Sequence, residues 1–389
     1  MLTKYNDKKP KNQVLAKLVD KHVSEKTKER IEECNNFMAF VANCECTKGK
    51  QVAGNSCKNR FCPICTYRLS RKDALKIHII MEYLKDKYDT KYIMATFTAP
   101  NVKGEELESE ISRYRKAFSK LEKREKVLKA NKGYIRKLEV TYNKEETITY
   151  DMWHGLNGKK PMGEYYERKG LRIGDDNPNF DTYHVHYHVI FAVNKSYFTS
   201  QNYIKHEEWL RLWREAMDDE SITQVDIRRI NRGQDKNGDI NEIAKYAAKD
   251  SDYLINQEVF DVFYKSLKGR QIITYNKLFK EAVKLYKAGE LDHYKTQDTT
   301  EYVNMIYYKW GGKVYEETER RELTEKEKAE YNGQLYSETD IDGIDIEESE
   351  TKMSVQVLRI LTRRVKNNTA KKNKGIPKNK ESIPNEEPP

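Results

Sequence analysis

The sequence predicts an α+β protein in which an antiparallel sheet and its helices follow a small cysteine-rich element. Three observations predict this class. One strand-like run alternates histidine with apolar residues, further short β-branched runs are separated by helical patterns, and all six cysteines lie among the first 65 residues. These patterns favour a main mixed domain with a metal-binding element in front of it.

The composition is basic, with 72 Lys and Arg against 62 Asp and Glu and a formal net charge of +10. An acidic polymer such as nucleic acid is therefore a sensible partner, although charge alone is weak evidence. No apolar run reaches membrane-spanning length, and no hydrophobic segment follows the Lys-rich start. We expect a soluble, unsecreted protein in the reducing cytoplasm, with no membrane partner.

Four regions are predicted along the chain. They are an N-terminal segment (1–33), a cysteine-rich zinc element with a helix (34–90), the main domain (91–290) and a charged, partly disordered extension (291–389). In the extension, an acidic block at 338–350 precedes a basic block at 359–380. The basic block either contacts DNA nonspecifically or is a solvating tail.

Three cysteines have zinc-like spacing: Cys57, Cys62 and Cys65. We expect Cys44 or Cys46 to complete a tetrahedral structural zinc site, with free buried cysteines as the alternative. Arg60 and Arg68 flank these cysteines. They either present cations to phosphate or belong to an ordinary solvated face.

Six segments of the main domain show strand or helix periodicity: strands at 92–98, 134–142, 182–193 and 222–230, and helices at 105–129 and 209–217. The order βαββαβ is typical of the ferredoxin-like split βαβ arrangement, with four antiparallel strands. We expect helices on one face of the sheet and a ligand on the other. Residues 143–181 form a polar insertion, and a helix, short strand and helix at 259–286 add packing.

His184, His186 and His188 lie at alternate positions of one predicted strand, so they share one face. Neutral imidazole is a common metal ligand, and ligands from one strand leave coordination positions open, which suits catalysis. The alternative is a solvent-facing polar stripe. Glu139 lies on the strand expected to pair with this one. It is either a carboxylate ligand for Mn²⁺ or Mg²⁺ or a surface residue.

A second constellation follows residue 239, where Glu242, Tyr246 and Lys249 share one stripe of a predicted helix. Tyr is a competent nucleophile toward phosphorus when a metal polarises the phosphoryl group. Glu242 is within reach to act as a base, and Lys249 can steady charge on the oxygens. The alternative is an ordinary helix in which Asp239 and Glu242 form a capping arrangement.

Taken together, these motifs resemble the rolling-circle replication initiator (Rep) proteins of small bacterial plasmids, which are HUH-type endonucleases with a single catalytic tyrosine. The resemblance runs from about Cys44 to about Phe279. It rests on the cysteine element, Thr96-Phe-Thr98, the histidine strand and the Glu242-x3-Tyr246-x2-Lys249 motif. The sequence departs from relatives at Val185, where they often have Pro.

The resemblance implies a mechanism. His186 and His188 would bind a divalent ion, with His184 as a further ligand. Tyr246 would attack single-stranded DNA at the plasmid's double-strand origin and form a 5′-phosphotyrosyl link, and Glu242 would activate water at termination. A host polymerase and helicase are implied as partners. Phosphate contacts are expected from four arginines: Arg60, Arg68, Arg228 and Arg229.

Two other functions fit the same sequence. A mobilisation relaxase or single-strand transposase would share the chemistry but would not support autonomous replication. A zinc-containing DNA-binding regulator without catalysis would require the histidine and tyrosine motifs both to be coincidental.

Overall fold

The computed structural model describes residues 2–157, 161–230, 240–241, 243–244 and 248–335. The described residues form a mixed α+β fold with antiparallel sheets, which confirms the predicted class. Glu242 and Tyr246 lie outside the described residues, as do the acidic and basic blocks of the C-terminal extension.

Two sheets contain the named strands. In chain order the strands are β1 (Phe37–Ala42), β2 (Gly49–Gly54), β3 (Lys91–Thr98), β4 (Gly133–Asn143), β5 (Thr182–Val193), β6 (Val225–Arg229), β7 (Ile273–Tyr275), β8 (Asn304–Trp310) and β9 (Tyr315–Glu322). The α-helices are α1 (Thr3–Leu18), α2 (Glu25–Glu32), α3 (Pro63–Tyr88), α4 (Leu107–Leu121), α5 (Glu125–Ala130), α6 (Tyr150–His154), α7 (Gly163–Arg168), α8 (His206–Met217), α9 (Asp250–Tyr253), α10 (Gln257–Leu267), α11 (Leu278–Lys287) and α12 (Glu325–Tyr331). None of the described helices is long and apolar enough to cross a bilayer.

The main sheet has the order β6-β3-β5-β4-β7, and every neighbouring pair is antiparallel. Its first four strands are the ones that the sequence predicts. The helix predicted over 105–129 is divided into α4 and α5, because Arg124 between them has an extended backbone. β7, the short strand expected in the packing segment, pairs with β4 and extends the sheet by one strand.

One face of the main sheet carries the larger core. Side chains alternate along β5, so Tyr187, Val189 and Phe191 share one face of the sheet. All three are buried. The apolar stripes of α4 and α8 cover this face, and Phe118 and Trp209 pack on the ring of Phe191. The spacing of apolar residues in these two helices is what produces the stripes.

The opposite face is divided along its length. Ile190 and Ala192 are buried in a second core with residues of α3 and α11, whereas Thr182 and the three histidines occupy the earlier part of β5 on this side. The prediction that this face is free for a ligand is therefore wrong for the half that carries Ile190. The apolar stripe of α3 has to be buried somewhere, and the sequence alone does not say against which face.

A second sheet, with the order β2-β1-β8-β9, joins distant parts of the chain. β8 belongs to the region predicted as a charged extension, yet it pairs with β1, and Phe40 lies opposite Ile306. β9 has no strand-like pattern in its sequence, because six of its eight residues are charged and only Tyr315 is buried. The predicted domain boundaries stay a prediction.

The predicted insertion between β4 and β5 has a small core of its own. α6 and α7 bury Met152 and Tyr166 together with Ile148. The Thr149 side chain caps α6 by accepting a hydrogen bond from the Met152 backbone N–H. This insertion leaves and re-enters the sheet next to the pair formed by Asn143 and Thr182.

Candidate functional site

Three neighbouring strands build a polar patch on the main sheet. His186 of β5 lies opposite Glu139 of β4, and His188 lies opposite Lys137 of β4 and Thr96 of β3. Paired residues of antiparallel strands point to the same face, so these side chains converge. We call the following group the histidine face: Thr96, Lys137, Glu139, His184, His186 and His188.

His188 is held at both ring nitrogens. Its Nε2 is 2.8 Å from Oε2 of Glu139, and its Nδ1 is 3.2 Å from Oγ1 of Thr96. His188 is only 5% exposed and Glu139 only 8% exposed. The contact of Nδ1 with Thr96 fixes the orientation of the imidazole, as an outer-shell partner commonly does for a metal-ligating histidine.

Glu139 also faces a buried cation. Lys137 is completely buried, and its Nζ lies 3.5 Å from Oε2 of Glu139. Burial raises the pKa of the Glu139 carboxyl, but the Lys137 ammonium and the contact with His188 outweigh it and hold this pKa well below its usual range. Glu139 is therefore an anion at neutral pH.

The three imidazoles form a row. The ring centroids of His184 and His186 are 4.1 Å apart, and those of His186 and His188 are 5.8 Å apart with nearly parallel planes. Two ligands side by side on an octahedral ion with bonds of about 2.1 Å would be about 3 Å apart. The separation of 2.8 Å between His188 and Glu139 is close to this distance. The nitrogen and oxygen donors are of the kind that suits a divalent ion.

Sequence reasoning missed Lys137 as a member of this site. The signal was available, because Lys137 is two residues before Glu139 and so points to the same face of β4. A lysine is not expected beside a cation site, because like charges repel. It is expected there only as the counter-charge of a buried carboxylate, and the sequence does not show that Glu139 is buried.

Glu242 and Tyr246 lie outside the described residues, so their roles stay predictions. Ile243 and Ala244 are described, and both are buried in the core that contains Ile190. This core is on the same side of the main sheet as the histidines. The arrangement is compatible with the predicted pairing of a tyrosine with the histidine face.

The residues that follow are anchored to three parts of the molecule. Asp250 forms ion pairs with Lys8 and Lys11 of α1. The Asp252 carboxylate accepts a hydrogen bond from the backbone N–H of Tyr142, at the end of the strand that carries Glu139. Lys249, predicted to steady charge, is exposed immediately before α9.

Tyr253 supplies the third anchor. Its hydroxyl donates to the backbone carbonyl of Phe61, in the cysteine element, over 2.7 Å. The ring of Phe61 also packs against those of Tyr253 and Tyr264. The buried hydroxyl of Tyr253 is thus used in a contact with the cysteine element.

A second donor cluster is built entirely from sulfur. The four cysteines whose Sγ atoms lie within 4.8 Å of one another are Cys34, Cys57, Cys62 and Cys65. The shortest separations are 3.5 to 3.6 Å. Zinc–sulfur bonds of about 2.3 Å in a tetrahedron would place the sulfurs about 3.8 Å apart. The cluster can therefore hold a metal such as zinc.

The prediction that Cys44 or Cys46 completes this set is wrong, because Cys34 does so. Cys34 is buried at the end of α2, whereas Cys44 is exposed in the turn between β1 and β2. The six residues of β1 span about 20 Å at about 3.3 Å per residue, which carries that turn away from the cluster. Cys46 instead lies near Arg320.

Polar groups surround the sulfurs. Lys9 is completely buried and donates to the backbone carbonyl of Cys34 over 2.8 Å, and Asn12 lies 3.4 Å from the sulfur of Cys62. Burial lowers the pKa of Lys9, and the nearby sulfurs oppose that effect. Contacts from Cys34 and the other two sulfurs hold the pKa of Cys65 well below its usual range, whereas contacts within the same cluster raise the pKa of Cys57 and of Cys62.

The arginines predicted to bind DNA have different surroundings. Arg60 donates to the backbone carbonyls of Leu267 and Arg270, so it ties the cysteine element to the end of α10. Arg68 lines an open groove beside that element. Arg60 is thus a structural contact as well as a surface charge.

Arg228 and Arg229 are neighbours on β6, so their side chains point to opposite faces. Arg228 lies opposite Met94, which is on the side of the histidines. Arg229 lies over the ring of Phe198 at 4.4 Å. Of these two arginines, only Arg228 shares a face with the histidines.

The described residues thus form a mixed α+β protein with an antiparallel sheet, clustered imidazoles beside a buried carboxylate, and a four-cysteine cluster that could hold a metal such as zinc. Comparison with known proteins narrows this class. The Rep_1 family model, described as a replication protein, matches residues 48–318, and the chain belongs to this family. The predicted resemblance to Rep proteins is therefore confirmed.

Similar proteins are found in several bacteria. A "Protein rep" of Staphylococcus aureus is 42% identical over 257 residues, which cover 66% of this chain and 96% of that protein. A "Protein rep" of Bacillus amyloliquefaciens is 32% identical over 290 residues, with 69% and 75% covered. One from Streptococcus pneumoniae serotype 2 is 30% identical over 270 residues, with 68% and 73% covered. No solved structure matches the chain.

Proposed function

We propose that this replication protein initiates rolling-circle replication of a plasmid by nicking and rejoining single-stranded DNA at the origin. The replication role follows from the family. The observation that supports the chemistry is the histidine face, where three imidazoles and an ionised, buried carboxylate lie on one side of the sheet. A regulator that only binds DNA would have no use for this donor set.

His186, His188 and Glu139 are the proposed ligands of Mn²⁺ or Mg²⁺, with His184 as a further ligand. When bound there, a divalent ion supplies polarisation of the scissile phosphodiester. Thr96 orients the ring of His188, with 3.2 Å between Oγ1 and Nδ1. Lys137 keeps Glu139 ionised, so the carboxylate is ready to act as a ligand.

Tyr246 is the proposed nucleophile. Its oxygen forms a bond to phosphorus, the bond from phosphorus to the 3′-oxygen breaks, and the tyrosine proton passes by way of a base to the departing oxygen. The products are a 5′-phosphotyrosyl link and a free 3′-OH, which a host polymerase would extend behind a host helicase. The burial of Ile243 and Ala244 on the histidine side supports this placement.

Termination needs a second cleavage. Glu242, one helical turn before Tyr246 in the sequence, is the proposed base that activates water for this step, so a single tyrosine is enough. Lys249 is the proposed cation that steadies charge on the phosphate oxygens. Its exposed side chain at the start of α9 is accessible to DNA.

The four-cysteine cluster is proposed to hold a structural zinc. It fixes the loop of Arg60 and Phe61 against α10, as their contacts with Leu267 and Tyr264 indicate. Arg60, Arg68, Arg228 and Arg229 are proposed to contact the phosphates of origin DNA.

The test is covalent capture. Purified protein is incubated with Mn²⁺ or Mg²⁺ and an origin-derived single strand, and the adduct is mapped by mass spectrometry. We expect a link at Tyr246 that is absent from Tyr246→Phe and unchanged in Tyr150→Phe, whose exposed tyrosine lies in the insertion. A link mapped to another residue would refute the assignment of Tyr246. Intact DNA binding without an adduct under any divalent ion would favour the regulator. Failure of the gene to support autonomous replication would favour a relaxase or transposase.

A further inference from the structure

A basic groove of about 1240 Å³ lies beside the cysteine element, on a different part of the molecule from the histidine face. The start of α3, strand β2 and the last described residues form its walls. Its basic side chains are Lys50, Lys58, Arg60, Arg68, Lys72 and Lys268. Among the described residues that line it, Glu330 is the one carboxylate. A wall of this kind is complementary to a polyanion.

Several of these cations are accessible. Lys58 and Lys268 are exposed, and Lys72 is half-buried. The ammonium of Lys268 lies 5.1 Å from the ring centre of Tyr264, which also lines the groove. The rim carries an apolar side chain too, because Leu69 is 54% exposed. An occupant that combines carboxylates with aliphatic side chains would match both features.

The described chain ends inside this groove. Tyr331, Gln334 and Leu335 all line it, so the residues that follow begin at its wall. Residues 336–350 contain no Lys or Arg. The acidic residues in this stretch are Glu338, Asp340, Asp342, Asp345, Glu347, Glu348 and Glu350. Three isoleucines, Ile341, Ile344 and Ile346, are interspersed among them.

We propose that the acidic segment 338–350 of the same chain occupies this groove. A chain reaches about 3.3 Å per residue, so Glu338 lies within about 10 Å of Leu335, and Glu350 reaches up to about 50 Å. Every groove lysine is therefore within reach of some carboxylate. A short tether gives an effective concentration in the mM range, which favours a contact that would be weak between separate molecules.

The proposal has a functional consequence, which rests on the proposed function. The carboxylates would occupy cations that otherwise attract phosphates, so DNA without the origin would have to displace the segment before it bound there. The segment would thus reduce nonspecific binding by a basic protein. The contact itself does not depend on whether the protein nicks DNA.

Zero-length carbodiimide coupling of full-length protein at low salt tests the contact directly, because it joins only carboxylates and amines that touch. We expect links from Lys58, Lys72 and Lys268 to residues within 338–350. The matched control lysines are exposed and lie away from the groove: Lys26, Lys120 and Lys313. Equal coupling of the segment to the control lysines would overturn the proposal, as would its absence from the coupled peptides. Links between isotopically light and heavy copies in a mixture would also refute it, since they would place the contact between molecules.

The reactivity of the groove lysines distinguishes occupation by the acidic segment 338–350 from occupation by DNA. Reductive methylation is compared between the wild-type chain and a full-length variant whose seven acidic residues in 338–350 are changed to Asn or Gln. We expect several-fold faster methylation of Lys58, Lys72 and Lys268 in the variant, with the three control lysines unchanged. Groove lysines that react equally in both proteins and become protected only when a random duplex is added would overturn the proposal and make DNA the occupant. The carbodiimide coupling and the lysine methylation do not depend on nicking. A protein that forms no adduct at Tyr246 would therefore leave both results unchanged.

Discussion

Lys137 and Glu139 form a pair of opposite charges inside the protein, with Lys137 completely buried. Two charges in a low-dielectric interior are tolerated because each compensates the other. The strand alternation that places the histidines on one face also places these two residues there. Lys137 therefore belongs to the site through its effect on Glu139, which it keeps ionised.

This pairing predicts a large loss of stability in Lys137→Met. Removing one partner of a buried pair typically costs about 3–5 kcal/mol, because the other charge is left without compensation. Urea denaturation of the metal-free protein measures the loss in the free energy of unfolding. The double variant Lys137→Met/Glu139→Gln should recover part of it, since it removes both charges. A loss in the double variant equal to the sum of the losses in Lys137→Met and Glu139→Gln would show that the pair is not coupled.

Thr96 gives a second prediction, which concerns metal affinity. Thr96→Val removes the hydroxyl beside Nδ1 of His188, and loss of such a partner typically costs about 10- to 100-fold in metal affinity. Titration of Mn²⁺ followed by electron paramagnetic resonance measures the effect. Thr318→Val is the control, because Thr318 lies on β9 of the second sheet and not beside a proposed ligand. Equal effects of the two changes would argue against a positioning role for Thr96.

At the scale of the elements, the four-cysteine cluster predicts which cysteines are needed to bind zinc. Cys34→Ser should lose the bound zinc and lower the melting temperature, since the fourth thiolate of the cluster is removed. Cys44→Ser should leave the zinc content unchanged, because Cys44 is exposed in the turn after β1. Elemental analysis of the purified proteins measures zinc per chain. Zinc loss in Cys44→Ser with retention in Cys34→Ser would reverse the assignment.

Some strands and helices could be predicted from the sequence, and others could not. The strands at 92–98 and 182–193 and the stripe of α4 were predicted because burial on one face leaves a regular period in the sequence. β9 was missed because most of its residues are exposed and charged, so its pairing with β8 leaves no apolar period. Cys34 was missed because spacing along the chain does not show which turn folds back onto the cluster.

The candidate site was predictable to a similar degree. Alternation placed the histidines on one face, and strand pairing placed Glu139 opposite His186. The half of that face that is covered by α3 was not predicted, because an apolar helix stripe does not identify the surface on which it packs. The division falls between His188 and Ile190, two residues apart on one strand.

At the scale of the whole molecule, the second sheet ties the region after residue 290 to the cysteine element. β8 pairs along the whole length of β1, and Ile306 is completely buried. A chain cut after residue 290 loses β8 and β9 and exposes one edge of β1. We expect it to melt at a lower temperature than a chain cut after residue 335, which keeps both strands. Circular dichroism measures both transitions, and equal melting temperatures would show that the main domain is independent of this sheet.

α3 extends from the cysteine cluster to the core beside the histidine face. Cys62 directly precedes its first residue and Cys65 lies in its first turn, while Ile80 and Leu84 lie in the core with Ile190, which is two residues from His188 on β5. Its 26 residues make a rod about 39 Å long at about 1.5 Å per residue. Because the helix is unbroken, it sets the distance between the sulfur cluster at its first turn and the core that lies beside the imidazole row.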